Sequence, residues 1–341
     1  MLFEKRGFLK YHFTFLLVAG LLSGAGCYAQ TENGKHNLIL FQTISLPDVK
    51  GRIDHMGINL SDQIAYVAAL GNNTLEVVDL KKGLVIHSIK GLDEPQGVAY
   101  ITKHKEIFVA NGGTGECYFY DALTFKKTAS ISLTSDADNV RYNENSDKIY
   151  VGYGSGGISI IDARTHKIIS DIELPAHPES FQIDAKEGKI WINIPDAGMV
   201  GVADIKQSKL ADRWKKFLPR FNFPMAYDEA AHRIIVGYRF PATLKVLDSH
   251  TGNEIFSSDM VGDADDLYWD NKSKKIFISG GGGSISIFKQ TGLNTYKLDA
   301  NIETPKGART SLLVPELRMF LLGTTANGAN SAKLQVYKLI E

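Results

Sequence analysis

The sequence predicts an all-β fold: a seven-bladed β-propeller of four-stranded blades closed into a ring. Three observations carry this. A repeat of about 42 residues occurs seven times, each copy holds short strand-like segments separated by turn residues, and a spare strand near the N-terminus matches one that the last copy lacks.

The repeat is plainest at an aromatic-or-aliphatic strand core. It reads Tyr66-Val67-Ala68, Phe108-Val109-Ala110, Tyr150-Val151-Gly152 and Trp191-Ile192-Asn193, then Ile235-Val236-Gly237, Phe277-Ile278-Ser279 and Phe320-Leu321-Leu322. Polar turns such as Asn145-Ser146-Asp147-Lys148 precede most copies, and Gly- or Asn-rich corners follow. The next strand ends in Asp79, Asp121, Asp162, Asp204 and Asp248, with Lys289 and Lys338 in the last two copies. Short turns such as Lys82-Gly83 lead to one more strand, for example Val85 to Ile89. The final copy stops after its third strand, Leu334 to Leu339, and Leu38 to Leu46 is the strand expected to complete it. That closure removes an open edge.

The first residues stand apart. Lys5, Arg6 and Lys10 precede an apolar run from Phe13 to Leu22, followed by small residues up to Ala29. The pattern predicts a signal peptide over residues 1–29 and a single propeller domain over 30–341, exported and most simply periplasmic. The alternative is lipidation at Cys27, which would anchor the chain to a membrane. After cleavage only Cys117 remains, so disulfides and cysteine-based zinc sites are excluded. Lys+Arg and Asp+Glu both total 38, and this balance argues against nucleic acid as a partner.

The repeats resemble the YVTN-type repeats of exported bacterial propellers, the YncE-like family. The closest local matches are Ile107 to Asn111 with Gly112-Gly113, and Thr74 to Asp79. The resemblance covers residues 38–341. It implies architecture and leaves activity open, because similar propellers bind ligands, carry protein contacts or catalyse.

In a propeller the corner entering each innermost strand opens at the mouth of a central channel. Aligned on the repeat, those corners give His55, Gln96, Asp138, Glu179, Phe223, Asp265 and Ala308. The next row reads Met56, Gly97, Asn139, Ser180, Pro224, Asp266 and Arg309, with Arg52, Asp54, Asp136, His177, Asn222 and Asp263 nearby. Such unlike groups at equivalent places suggest a shaped site. Asp138, Glu179 and Asp265 are candidate oxygen ligands for a divalent cation, Ca²⁺ or Mg²⁺. His55 and His177 suit general-base work near neutral pH. Arg52, Gln96, Asn139, Asn222, Asp266 and Arg309 are candidate ligand-binding residues, Arg309 for a carboxylate or phosphate.

Gly152 to Gly157 joins two strands and opens no helix, so it is a turn and not a phosphate cradle. The basic cluster of Arg213, Lys215, Lys216 and Arg220 around Trp214 reads as a blade edge. Three functions remain. The first is a cell-envelope module binding a small molecule, glycan or protein at the channel mouth. The others are a metal-assisted hydrolase or lyase acting on a lactone or sugar acid, and a scaffold with no small-molecule site.

Overall fold

The computed structural model describes residues 37–215, 218–327 and 331–340. The expected signal peptide and Cys27 lie outside the described residues. Strand β1 (Leu38–Leu46) comes first, and β2 (Met56–Asn59), β3 (Ile64–Ala69), β4 (Thr74–Asp79) and β5 (Leu84–Lys90) form the first blade. Seven antiparallel four-stranded sheets follow one another in this way, each in sequence order from the channel outward. The exception is the seventh, in which β1 pairs with Ala332–Leu339 as the outermost strand of the last blade. The ring is therefore closed as the sequence predicts. Among the described residues the helical segments are two three-residue turns, Leu70–Asn72 and Pro315–Leu317, and no helix is long and apolar enough to cross a membrane.

Blade packing explains the strand patterns. A second strand such as β3 is covered by a neighbouring blade on either face, so Tyr66, Val67 and Ala68 are all buried and the run is apolar without alternation. The outermost β5 has one wet side and carries exposed Leu84, Ile86, His87 and Lys90. The core lies between blades rather than inside them. Phe108 meets Phe119 edge-on at 4.9 Å, in a cluster that also holds Val151 and Ile161 of the next blade. Trp191, fully buried, packs on Tyr227 of the next blade and donates from Nε1 to Ser249 O at 3.0 Å.

The recurring aspartates act on their own turns. Asp79, Asp121, Asp162, Asp204 and Asp248 each accept the N–H three residues on, at 2.8, 2.7, 2.8, 2.8 and 3.0 Å. The residue before each second strand takes the left-handed region in all seven blades: Gln63, Lys105, Asp147, Gly188, His232, Lys274 and Arg318. The repeat is thus a repeat of turn chemistry as well as of strands. Of the basic cluster, Arg213 and Lys215 are exposed on the outer strand Lys209–Lys215 beside buried Trp214, as a blade edge requires. Arg220 instead opens the first strand of the next blade, Arg220–Asp228, and Lys216 lies outside the described residues.

Candidate functional site

The strand registers fix which residues are equivalent at the mouth. The outer row is Asp54, Gln96, Asp138, Glu179, Phe223, Asp265 and Arg309, and the inner row is His55, Gly97, Asn139, Ser180, Pro224, Asp266 and Thr310. Five blades agree with the repeat alignment and two are corrected. In blade 1 the Ala68 N–H donates to His55 O as Gly152 N–H does to Asn139 O, so His55 is an inner-row residue and Asp54 takes the outer place. In blade 7 the Leu339 N–H donates to Arg318 O as Leu80 N–H does to Gln63 O. That puts Leu321, not the aromatic Phe320, in the place of Tyr66, and Arg309, not Ala308, in the outer row. Both side chains are buried, so apolar character could not discriminate between the two registers.

The charged groups of the mouth pair with one another across the channel. The His55 Nε2 lies 3.6 Å from Asp138 Oδ1 and its Nδ1 3.5 Å from Asp266 Oδ1, joining blades 1, 3 and 6. His177 Nε2 stands 3.8 Å from Asp138 Oδ2, while its Nδ1 contacts Gly154 O at 2.7 Å and Asp136 Oδ2 at 3.5 Å. Arg52 Nη2 is 3.0 Å from Asp54 Oδ2. Arg309 donates to both oxygens of Asp263 at 3.0 and 3.2 Å and lies 3.1 Å through Nε from Asp265 Oδ2. Arg239 also pairs with Asp265, donates to Ala264 O at 2.9 Å and sits 3.6 Å above the Phe223 ring. Gln96 donates to Asp136 Oδ1 at 3.2 Å.

This network divides the titratable groups. Burial alone would depress His55, but the hydrogen bond to Asp266 and the charges of Asp54, Asp266 and Asp138 outweigh it and push it up to about 10. His177 is raised to about 9, burial again being overcome by Asp138, the Gly154 carbonyl and Asp136. Asp138 goes the other way: burial would raise it, yet His177, His55 and Arg52 hold it below the ordinary carboxylate value. Burial dominates at Asp54, raised to about 6, and at Glu179, raised to about 8 with help from the charges of Asp138 and Asp265. At neutral pH the mouth therefore holds two imidazolium rings, and Glu179 is a neutral acid. A charged His55 donates from both nitrogens, so the Asn139 amide, 3.1 Å from Nε2, meets it best through Oδ1. That oxygen otherwise has no hydrogen-bond partner, as is also true of Asp54 Oδ1.

The proposed cation ligands do not form a vacant oxygen cage. Asp138 is flanked by two histidines and Asp265 by two arginines, so a divalent ion would compete with cations already in place. Among the described residues, the donor atoms that gather within 4.8 Å of one another are those of Glu187, His232 and His250, on the opposite face. Asn222 lies away from this network. It is buried, and its amide donates to Asn193 Oδ1 and Met199 O at 2.8 and 2.9 Å, fastening blade 4 to blade 5.

Beneath the charged rows the channel widens into a cavity of about 430 Å³, bounded by His55, Arg141, Gln182, Asp266 and Tyr268 among others. Sequence reasoning missed Arg141 here and Arg239 above. Arg141 stands one residue past Val140, where the other inner strands place Gly57, Ala99, Gln182, Ala226, Tyr268 and Leu312. An arginine at an inward channel position was the available signal. Its Nη1 donates to Val140 O at 2.9 Å and its Nη2 to Ser180 Oγ at 3.2 Å. No carboxylate comes within ion-pair distance of it among the described residues.

No family model matches the chain, and no curated protein matches it. Among solved structures, one described as "Crystal Structure of Mitotic Checkpoint Complex" contains a chain of the same architecture. It has a TM-score of 0.74 and 14% identity, covering 96% of this chain and 100% of that one. At that identity the likeness shows the fold alone. Fold and geometry together define a seven-bladed β-propeller with a self-paired charged mouth above a central cavity.

Proposed function

We propose that this protein is an exported cell-envelope propeller of the YVTN-repeat, YncE-like kind that binds a small anionic molecule in its central channel. The observation that carries the reading is Arg141. A guanidinium has five N–H donors in a planar fork suited to carboxylate or phosphate. Two protein acceptors take up only part of this fork, and the side chain borders the cavity without a carboxylate partner. Burial lowers its pKa, as expected for a cation removed from water without full compensation, and an anionic ligand would supply that compensation. A cavity of about 430 Å³ inside the ring suits a small molecule better than a glycan chain or a protein surface.

The test is calorimetric titration of small carboxylates and phosphates into the wild type and Arg141→Gln. A charge-assisted contact is worth about 1.5–3 kcal/mol, so the variant should bind about ten- to a hundredfold more weakly. Equal affinity in both proteins, or no anion bound by the wild type, would overturn the reading.

A second reading rests on the opposed shifts of Asp138 and Glu179. One carboxyl group held ionised beside another held neutral near pH 7 is an arrangement able to give and take a proton. On this reading the channel catalyses acid–base chemistry, hydrolysis or elimination on a lactone or sugar acid. Turnover lost in Glu179→Gln with binding retained would favour it.

A further inference from the structure

The turns on the face opposite the mouth carry a cluster that the channel chemistry does not use. Glu187 belongs to the turn between the first two strands of blade 4, and His232 to the equivalent turn of blade 5. His250 lies in the next turn of blade 5, between Ala242–Asp248 and Glu254–Asp259. His232 Nδ1 is 3.8 Å from Glu187 Oε1, and His250 Nδ1 is 3.9 Å from Glu187 Oε2. The two imidazole rings lie 4.8 Å apart, inclined by 40°. All three residues are exposed, so an ion could reach them from solvent.

We propose that Glu187, His232 and His250 form a binding site for a first-row divalent transition metal, zinc foremost, that bridges blades 4 and 5. The donor set decides the class. Two imidazoles and one carboxylate are borderline ligands suited to Zn²⁺ and poorly suited to Ca²⁺ or Mg²⁺, which take oxygen. Tetrahedral zinc with bonds of about 2.0–2.2 Å sets its ligand atoms roughly 3.3 Å apart. The separation of Glu187 Oε1 from His232 Nδ1 exceeds that by about half an ångström, and one donor atom of each of the three residues lies within 4.8 Å of the others. Exposed side chains make that closure by small rotations.

The backbone under each ligand is already fixed, which is the second and independent support. Asp184 Oδ1 accepts the N–H of Lys186 and of Glu187, each at 2.9 Å, and Asp184 Oδ2 accepts from Tyr227 OH of the next blade at 2.9 Å. The Ser249 N–H donates to His232 O at 3.0 Å, tying the two histidine turns together. Trp191 of blade 4 donates to Ser249 O, the carbonyl just before His250. The three turns are therefore held in one hydrogen-bonded frame across the blade boundary, and a metal would lose little chain freedom on binding. Lys189 Nζ, 2.9 Å from Glu187 Oε2, leaves Oε1 as the oxygen free for the ion. With three protein ligands a fourth position stays open to water or to a donor from another molecule.

The experiment uses full-length protein without a histidine tag, titrated with zinc chloride by calorimetry and followed by thermal unfolding. One zinc per chain should bind and raise the melting temperature, because an ion held only by the native state stabilises it. Calcium and magnesium should not raise it. His232→Ala and His250→Ala should each weaken zinc binding by about tenfold or more, with zinc-free melting unchanged. X-ray absorption of the wild-type zinc complex should show two imidazoles in the first shell. Absence of saturable binding overturns the proposal. So does undiminished binding in the His232→Ala, His250→Ala double variant, which would place the zinc elsewhere, or a first shell without imidazole.

Discussion

The His55 Nε2 lies 3.6 Å from Asp138 Oδ1, a contact between an inner-row residue of blade 1 and an outer-row residue of blade 3. Asp138 is buried, and His177 approaches its other oxygen. One carboxylate thus faces two imidazolium rings, each of which also has an acidic partner of its own, Asp266 for His55 and Asp136 for His177. Removing its charge takes one partner from each buried ring, leaving His55 with Asp266 and Asp54 and His177 with Asp136. Breaking a buried charge pair costs about 3–5 kcal/mol in measured cases. Asp138→Asn should lose stability on that scale in urea unfolding, and the His177 titration observed by NMR should fall from about 9 toward its ordinary value. An unmoved His177 would show that Asp138 is not its principal partner.

The same network sets the pH dependence. His55 and His177 are raised from 6.5 to about 10 and about 9, so their contribution is complete below pH 6.5 and lost as the pH climbs through those values. Glu179, raised from 4.5 to about 8, works in the same direction, since its charge is resisted by burial and by Asp138 and Asp265. Stability should therefore decline on the alkaline side between pH 7 and 10. Glu179→Gln keeps a neutral group in place and should exceed the wild type in stability at pH 8 and above. Urea midpoints across a pH series check this, and parallel curves for the two proteins would refute it.

Gly97 is required by the closeness of the strands. A Cβ built there would lie 1.9 Å from the Asp138 carbonyl oxygen and 2.5 Å from Val140 Cγ2, and backbone cannot swing aside as a flexible side chain can. Gly97→Ala should destabilise the fold by about 1–3 kcal/mol, the usual scale of overpacking, and displace Asp138 from both histidines. The expected readout is lower thermal stability together with lowered His55 and His177 titrations. Loss of stability with both titrations intact would separate packing from the network.

Much of this was legible in the sequence, and the exceptions have physical causes. Tyr66, Phe108, Tyr150 and Trp191 mark the second strands because each is covered on both faces, and the repeated Asp marks a turn because its carboxylate satisfies an N–H three residues on. Leu321 was harder to place because Phe320 beside it is equally buried and aromatic, so only the backbone bond from Leu339 to Arg318 settles the register. The mouth was located from unlike residues at like positions. Its pairing was hidden, because His55 meets partners 83 and 211 residues away in the chain, a closeness created by ring closure. Arg239 and Arg141 escaped notice because their roles depend on which way a strand residue faces the channel, and a one-residue shift reverses that.

The mouth carboxylates should ignore hard cations. Asp138 and Asp265 already face His55, His177, Arg239 and Arg309, so millimolar calcium or magnesium should leave the melting temperature and the two histidine titrations unchanged. A clear rise in melting temperature, abolished in the Asp138→Ala, Asp265→Ala double variant, would restore these residues as metal ligands.

Ring closure makes the last prediction. The strand Leu38–Leu46 is held by its ladder to Ala332–Leu339 and by Ile44 and Leu46, both fully buried against the core shared by blades 7 and 1. Ile39, Leu40 and Phe41 on the same strand are about half exposed. Ile44→Ala should therefore cost about 2–5 kcal/mol, the range for emptying a packed aliphatic site, while Ile39→Ala should stay within about 0.5 kcal/mol of the wild type. Deleting residues 37–46 should do more than either, because it exposes the Ala332–Leu339 strand as an unpaired edge. That protein should aggregate at concentrations where the intact chain is monodisperse by light scattering, and adding the strand back as a separate peptide should suppress the aggregation. Two equal alanine variants, or a soluble truncation, would mean that the ring is held by blade-to-blade packing and not by the strand that joins its ends.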